Sequence, residues 1–162
     1  MQCVQALLTG GVRACDVAVI SMYEAQRKLV VETLTKRLPR GVGAGVFAAT
    51  VDSVQGREYD FIILTLVRSN AEQKVGFISN RGRANVALSR ARYGLIIVGD
   101  SATVGCDPLW GALLQEYASD RRLVEGTLSA LTRLFPRLRS QRRGPSWSPA
   151  FSPMTATSLP TC

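Results

Sequence analysis

The sequence contains no histidine. The commonest general base, and the commonest metal-binding imidazole, are therefore missing. Any chemistry must rest on carboxylates, arginines or a bound ion. Cysteine is scarce too: Cys3, Cys15, Cys106 and Cys162 lie far apart, with no C-x-x-C pair among them. That spacing argues against a zinc site, and the sequence supplies no other metal centre. It also lacks the pattern of a secreted disulfide framework, so reduced thiols and an intracellular home, cytoplasm or nucleus, are expected. No apolar run approaches the roughly 20 residues needed to span a bilayer, and no membrane partner is expected. The start, Met1-Gln2-Cys3-Val4-Gln5, lacks the basic region and long apolar stretch of a secretory signal. There is no Gly-Lys pair anywhere in the chain, and no strand-like run ends in Asp-Glu. A phosphate loop with its lysine is thereby excluded.

What is present is a chain of 162 residues with 46% hydrophobic content, enough for one domain with a proper core. The formal charge is +8, unevenly spread. Arg121 to Arg143 holds seven arginines and one acid, Glu125, while the first 120 residues carry thirteen basic and eleven acidic side chains. A basic excess is consistent with a nucleic-acid partner, and equally with a solubilising C-terminal segment. From Pro136 onward prolines recur with Ser, Thr and Arg, the composition of a disordered tail. The expected organisation is a domain over 1–135 and a tail over 136–162.

Along the domain, apolar runs alternate with helical patterns. A short helix and a turn fill Met1 to Ala14. Val17 to Ile20 reads as a strand, and Ser21 with Glu24 forms a capping-box pattern that predicts a helix start at Ser21. Behind it Gln26, Val30, Leu34 and Leu38 repeat every four residues, until Pro39 and Gly41 stop the helix. Gly41 to Gly45 reads as a flexible turn into a strand at Val46 to Val51, followed by a loop or one helical turn over Asp52 to Glu58. Phe61 to Val67 is a central strand, Ser69 to Gly76 a loop, Asn80 to Ala91 a helix and Leu95 to Val98 a strand. Asp107 is the expected N-cap of a last helix that begins at Pro108 and buries Leu109, Leu113 and Tyr117. Strands alternating with helices predict an α/β fold with a mainly parallel sheet. Ligands of such sheets gather beyond the strands' carboxyl ends.

Three clusters carry chemistry. In Gln55-Gly56-Arg57-Glu58 the glycine lets a backbone amide approach a phosphate, and the carboxylate can accept hydrogen bonds from ribose hydroxyls. A strand-to-helix turn with a solvated Glu58 is the plain alternative. In Ser89-Arg90-Ala91-Arg92 the arginines offer forked donors suited to phosphate oxygens; Arg92 serves equally as a surface charge capping the helix end. Ser21 and Tyr23 sit where a hydroxyl and free backbone amides can bind a nucleic-acid phosphate, and Ser21 can as well be a simple cap. Thr50, Asp52 and Ser53 can also line a strand path, through hydroxyl contacts to phosphate.

These clusters, in this order, resemble motifs of superfamily 1 helicases, in the branch containing the nonsense-mediated-decay RNA helicase. Ile20 to Gln26 resembles motif IV, Thr50 to Asn70 motif V and Asn85 to Arg92 motif VI, over about Asp16 to Asp100. Met22 stands where the family usually has proline, and Gly82 and Ala84 where it often has arginine and leucine. The resemblance implies a RecA-like P-loop NTPase fold, and only the second of a helicase's two such domains. It implies that Gly56 lies near the γ-phosphate of ATP, with Gln55 beside it, and that Glu58 holds the ATP sugar. It implies that Arg90 is an arginine finger reaching ATP bound by a first domain, with Arg83, seven positions earlier, supporting it. Mg²⁺ would be held mainly by that first domain. Ser21 and Tyr23 would touch a single strand of RNA or DNA, and Arg68 would make either a domain contact or a nucleic-acid contact. Travel would be 5′ to 3′. The chain alone is then expected not to hydrolyse ATP. A non-catalytic single-strand-binding module and a scaffold remnant are the alternative readings.

Overall fold

Four apolar stretches form one sheet: β1 (Val17–Ser21), β2 (Phe47–Thr50), β3 (Tyr59–Thr65) and β4 (Ala91–Val98). Their order across the sheet is β2-β1-β3-β4, and every neighbouring pair is parallel. The structure, a computed structural model, describes residues 1–124; the expected tail and the arginines from Arg133 onward lie outside the described residues. α1 (Gln2–Thr9) precedes the first strand, α2 (Glu24–Arg37) and α3 (Val42–Gly45) link β1 to β2, α4 (Arg81–Leu88) links β3 to β4, and α5 (Ser101–Val104) and α6 (Pro108–Ser119) follow β4. This is the α/β arrangement expected. No helix among the described residues is long and apolar enough to cross a membrane.

Side chains alternate across a strand, so an all-apolar strand feeds two cores. Val17, Val19 and Ile63 pack with Cys3, Val4, Leu34 and Val46, under α1 and α2. Ala18, Ile20, Ile62 and Leu64 pack on the other face with Ala84, Ala87, Val104 and Trp110, under α4, α5 and α6. Burying each Ile or Leu contributes roughly 1.5–3 kcal/mol. β1 and β3 are interior, and β1 is buried at all five positions. β4 lies at the edge among the described residues, and its apolar run is only half-buried.

Several boundaries differ from the sequence expectation. Ser21 does not start α2: it is the last residue of β1, 1% exposed, and its Oγ accepts from the backbone N–H of Tyr23 at 3.1 Å. α2 begins at Glu24, whose carboxylate pairs with Arg27 at 2.6 Å instead of reaching back. The pairing holds the Glu24 carboxyl below its usual range. β2 is shorter than Val46 to Val51, because Val51 already turns away. α4 stops at Leu88, and the next strand begins at Ala91, earlier than Leu95. Of the four-residue repeat in α2, only Leu34 is fully buried.

The glycine-rich link is not a loose turn either. Val42–Gly45 makes one helical turn after Gly41, whose φ of 89° suits glycine. A Cβ on Gly43 would sit 2.6 Å from the Leu34 carbonyl oxygen and 3.0 Å from its carbon. That is backbone of α2, which cannot swing aside. Gly43→Ala is therefore expected to destabilise the fold by about 1–3 kcal/mol, as other overpacking changes do. A fall in the urea midpoint with unchanged slope is the measurement that checks it; an unchanged midpoint would mean that the α2–α3 contact is not tight.

Candidate functional site

Parallel strands put all their carboxyl ends on one edge and all their amino ends on the other. The register pairs Ser21 with Thr50 and with Thr65, and Thr65 with Val98, at the carboxyl edge. It pairs Tyr59 with Ala91 at the amino edge. The two edges stand about 20 Å apart, from the rise of a seven-residue strand. The candidate residues are divided between these two edges. Only part of the set lies at the carboxyl edge; Glu58 and Arg90 immediately precede β3 and β4, at the opposite edge.

At the amino edge, Tyr59 N–H donates to the Arg90 carbonyl at 3.1 Å, which sets Glu58 and Arg90 on adjacent strand starts. Gln55 (φ −55°, ψ 131°) and Gly56 (φ 79°) fill the central positions of a turn closed by Arg57 N–H to the Val54 carbonyl at 3.0 Å. These are type II values, and the second position requires a positive φ. Gly56 thus has a structural reason to be glycine. It is also open, since a Cβ there would meet nothing within 4 Å. Glu58 is exposed and paired with Arg92 Nε at 3.3 Å, and Arg92 Nη1 reaches Asp60 at 3.7 Å. Arg92, left open between two roles by the sequence, is thus the counter-ion of Glu58. Arg90 differs. Among the described residues its Nε is the one buried side-chain polar atom without a hydrogen-bond partner.

At the carboxyl edge, Val67 has φ 69°, a left-handed conformation that is strained for a β-branched residue. Arg68 N–H donates to the Leu66 carbonyl at 2.8 Å across it, a three-residue turn that ends β3's run. Arg68 Nε then donates to the Tyr23 hydroxyl at 2.9 Å, with its guanidinium over the Tyr23 ring at 5.4 Å. Gly76, φ 59°, leaves the room: a Cβ there would lie 2.6 Å from Arg68. Tyr23 packs against Phe77 with ring centroids 5.8 Å apart. Arg83 lies over the other side of this cluster, 4.0 Å from the Phe77 centroid, and binds Asp52 Oδ1 at 2.9 Å.

Thr50 and Ser53 satisfy each other: their hydroxyls are 2.7 Å apart, and Ser53 Oγ accepts from Thr50 N–H at 3.0 Å. Beyond them, Asp100 accepts from Ser69 Oγ at 2.8 Å, Thr103 Oγ1 at 2.9 Å and Ala102 N–H at 3.0 Å. These bonds, the Ser69 hydroxyl first, hold its carboxyl below the usual range.

The structure brings together residues that the sequence reading assigned to different ligands. Arg83, grouped with ATP, meets Asp52, grouped with the nucleic acid. Arg83 sits in the first turn of α4 and Arg90 follows its last, about 10 Å apart by helical rise. Phe77 was missed altogether. It lies in a short 3-10 turn, Gly76–Ser79, with no periodicity to mark it, and it is 39% exposed, between the Arg83 guanidinium and the Tyr23 ring. An exposed aromatic amid arginines is the signal that could have found it.

A family model described as an AAA domain matches residues 1–102. The chain is 40% identical over 142 residues to a regulator of nonsense transcripts 1 homolog of Arabidopsis thaliana, covering 86% of this chain and 11% of that protein. It is 44% identical over 123 residues to the Neurospora crassa homolog, covering 75% and 11%. Over 127 residues it is 39% identical to the ATP-dependent helicase NAM7 of Saccharomyces cerevisiae, covering 77% and 13%. The chain thus spans only 11% to 13% of the length of these relatives. With a parallel sheet covered by helices on both faces and the motifs on its two edges, this chain belongs to the AAA-domain family, as a RecA-like superfamily 1 helicase domain of the nonsense-mediated-decay type.

Proposed function

We propose that residues 1–135 act as the second RecA-like domain of an ATP-dependent RNA or DNA helicase, followed by a tail over 136–162. The amino edge faces ATP held by a first domain, and the carboxyl edge forms one wall of a single-strand cleft. Arg90 carries the reading. A guanidinium whose Nε is buried without a partner is costly unless another group completes it. A triphosphate is such a group.

The other residues at that edge fit the same ligand. Gly56 leaves its backbone open to a phosphate. Glu58 is exposed, and Arg92 fixes its direction while leaving further lone pairs for sugar hydroxyls. When bound, ATP would supply a γ-phosphoryl group, whose transfer to water breaks a phosphoanhydride bond and releases free energy. This chain's part is to orient the sugar and to place positive charge where negative charge develops. It has no Gly-Lys loop of its own, and Mg²⁺ would be held mainly by the first domain. An intracellular site, cytoplasm or nucleus, belongs to the same proposal.

The test is reconstitution. The chain alone, a matching first domain alone and the two mixed are assayed for ATP turnover with single-stranded nucleic acid. Turnover is expected only from the mixture. If the mixture turns over no faster than the first domain alone, the chain is not the missing half.

A further inference from the structure

We propose that Asp52 is an internal competitor for nucleic-acid phosphate, holding Arg83 until a single strand displaces it. This rests on the single-strand reading of the carboxyl edge, and it reverses the sign expected for Asp52. From the sequence, Asp52 is expected to be a nucleic-acid contact among hydroxyls and arginines. Its geometry says otherwise.

Asp52 Oδ1 takes Arg83 Nε at 2.9 Å, with side-chain exposures of 61% and 34%. An ion pair this exposed is weak and easily exchanged. Arg83 is at the same time held in place by other means. Its backbone N–H donates to the Asn80 cap at 3.0 Å, and its guanidinium stacks on Phe77 at 4.0 Å. The stacking fixes the plane of the fork without using its N–H donors. Removing Asp52 would leave Arg83 in position with its donors free. Phosphate is the natural replacement, since it matches the guanidinium fork and carries the same charge sign as the carboxylate.

The surroundings favour a phosphate chain at that point. Arg68 stands on Tyr23, Tyr23 on Phe77 and Phe77 beneath Arg83, so two guanidinium groups flank two rings along one edge. Rings and cations in alternation suit the bases and phosphates of a single strand. Asp52 is the acidic side chain bound into that row. It lowers affinity twice, by occupying Arg83 and by repelling the incoming phosphate. The consequence is a site that binds more weakly and releases faster than its arginines alone would allow. Arg83 also lies in the first turn of α4, the helix that ends at Leu88, immediately before Ser89-Arg90.

The experiment is a mutant cycle on the full chain, read by fluorescence anisotropy with a labelled oligouridylate and with the matching oligodeoxythymidylate. The variants are Asp52→Asn, Arg83→Gln and the double change, with Asp52→Ala as a second removal of the charge. Asp52→Asn is expected to tighten binding by about 3- to 10-fold at low salt, the scale of one rim charge. The slope of log affinity against log salt should steepen by about 0.7, one more neutralised phosphate on a single strand. In the Arg83→Gln background the tightening should largely vanish. Equal effects on both oligonucleotides support competition for phosphate; a gain confined to the ribo-oligonucleotide overturns it. Two other results also overturn it. Tightening of the same size with and without Arg83 would make Asp52 a general repulsive charge. Weakening by Asp52→Asn would make it a direct contact. If the unmutated chain binds neither oligonucleotide, the single-strand reading of this edge fails first, and the competitor with it.

Discussion

Replacing Arg90 by alanine is expected to lower ATP turnover of the reconstituted pair by about 10³- to 10⁵-fold, the usual worth of an arginine finger. That corresponds to about 4–7 kcal/mol of transition-state stabilisation. The loss should fall on kcat with KM little changed, because a finger acts where charge develops during the reaction. Arg90→Lys should recover only a small part: lysine keeps the charge but not the planar fork. The same substitution should leave folding intact. Arg90 has no ion pair among the described residues, and its buried Nε lacks a partner. Deleting an unsatisfied buried donor removes a cost instead of adding one. A thermal midpoint unchanged beside a collapsed kcat would separate chemistry from structure. Turnover unchanged by Arg90→Ala would instead point to a scaffold that lends no group to the reaction.

The sequence made this residue visible through its neighbours. Ser89-Arg90-Ala91-Arg92 lies just before an apolar strand, and Gln55 to Glu58 just before another. Motif order and apolar runs are one-dimensional facts, so the α/β fold, the strands and their parallel pairing were legible. What was not legible depends on register or on single long-range pairs. Which edge a motif occupies follows from where a strand begins, and β4 begins at Ala91, four residues before its continuous apolar run. The capping box at Ser21 failed because the same hydroxyl can close a tighter turn onto Tyr23 at the end of a strand. Asp52 and Arg83 are 31 residues apart, and Arg92 and Glu58 are 34 apart. No local spacing announces such pairs. Exposed ion pairs leave no trace in hydrophobic patterning, so the competition at Asp52 emerges only in three dimensions.

A buried residue off the expected helical stripe supplies the second large effect. α6 was expected to bury Leu109, Leu113 and Tyr117, and each is only part-buried. Its anchor is Trp110, 1% exposed, in the core under β1 and β3. Asp107 caps the helix by accepting from Leu109 and Trp110 N–H at 2.9 and 3.2 Å, with Pro108 opening the first turn. The cap thereby fixes the direction in which Trp110 enters. The indole N–H donates to the Ile78 carbonyl at 2.9 Å, and both residues are buried. Trp110→Ala is expected to cost about 3–5 kcal/mol for the lost volume. The stranded Ile78 carbonyl adds about 1–3 kcal/mol. Against the 5–15 kcal/mol typical of a whole domain, this brings the fold close to collapse. Trp110→Phe keeps most of the volume and loses the hydrogen bond, so about 1–3 kcal/mol is expected. Urea unfolding followed by circular dichroism would rank the three proteins, and a change below about 1 kcal/mol for alanine would remove Trp110 from the core. The milder variant also bears on the binding edge. Ile78 adjoins Phe77 in the turn that supports Arg83. Trp110→Phe should therefore weaken single-strand binding although the indole is buried. The tightening by Asp52→Asn should shrink with it, since a loosened Phe77 no longer holds the freed arginine in place.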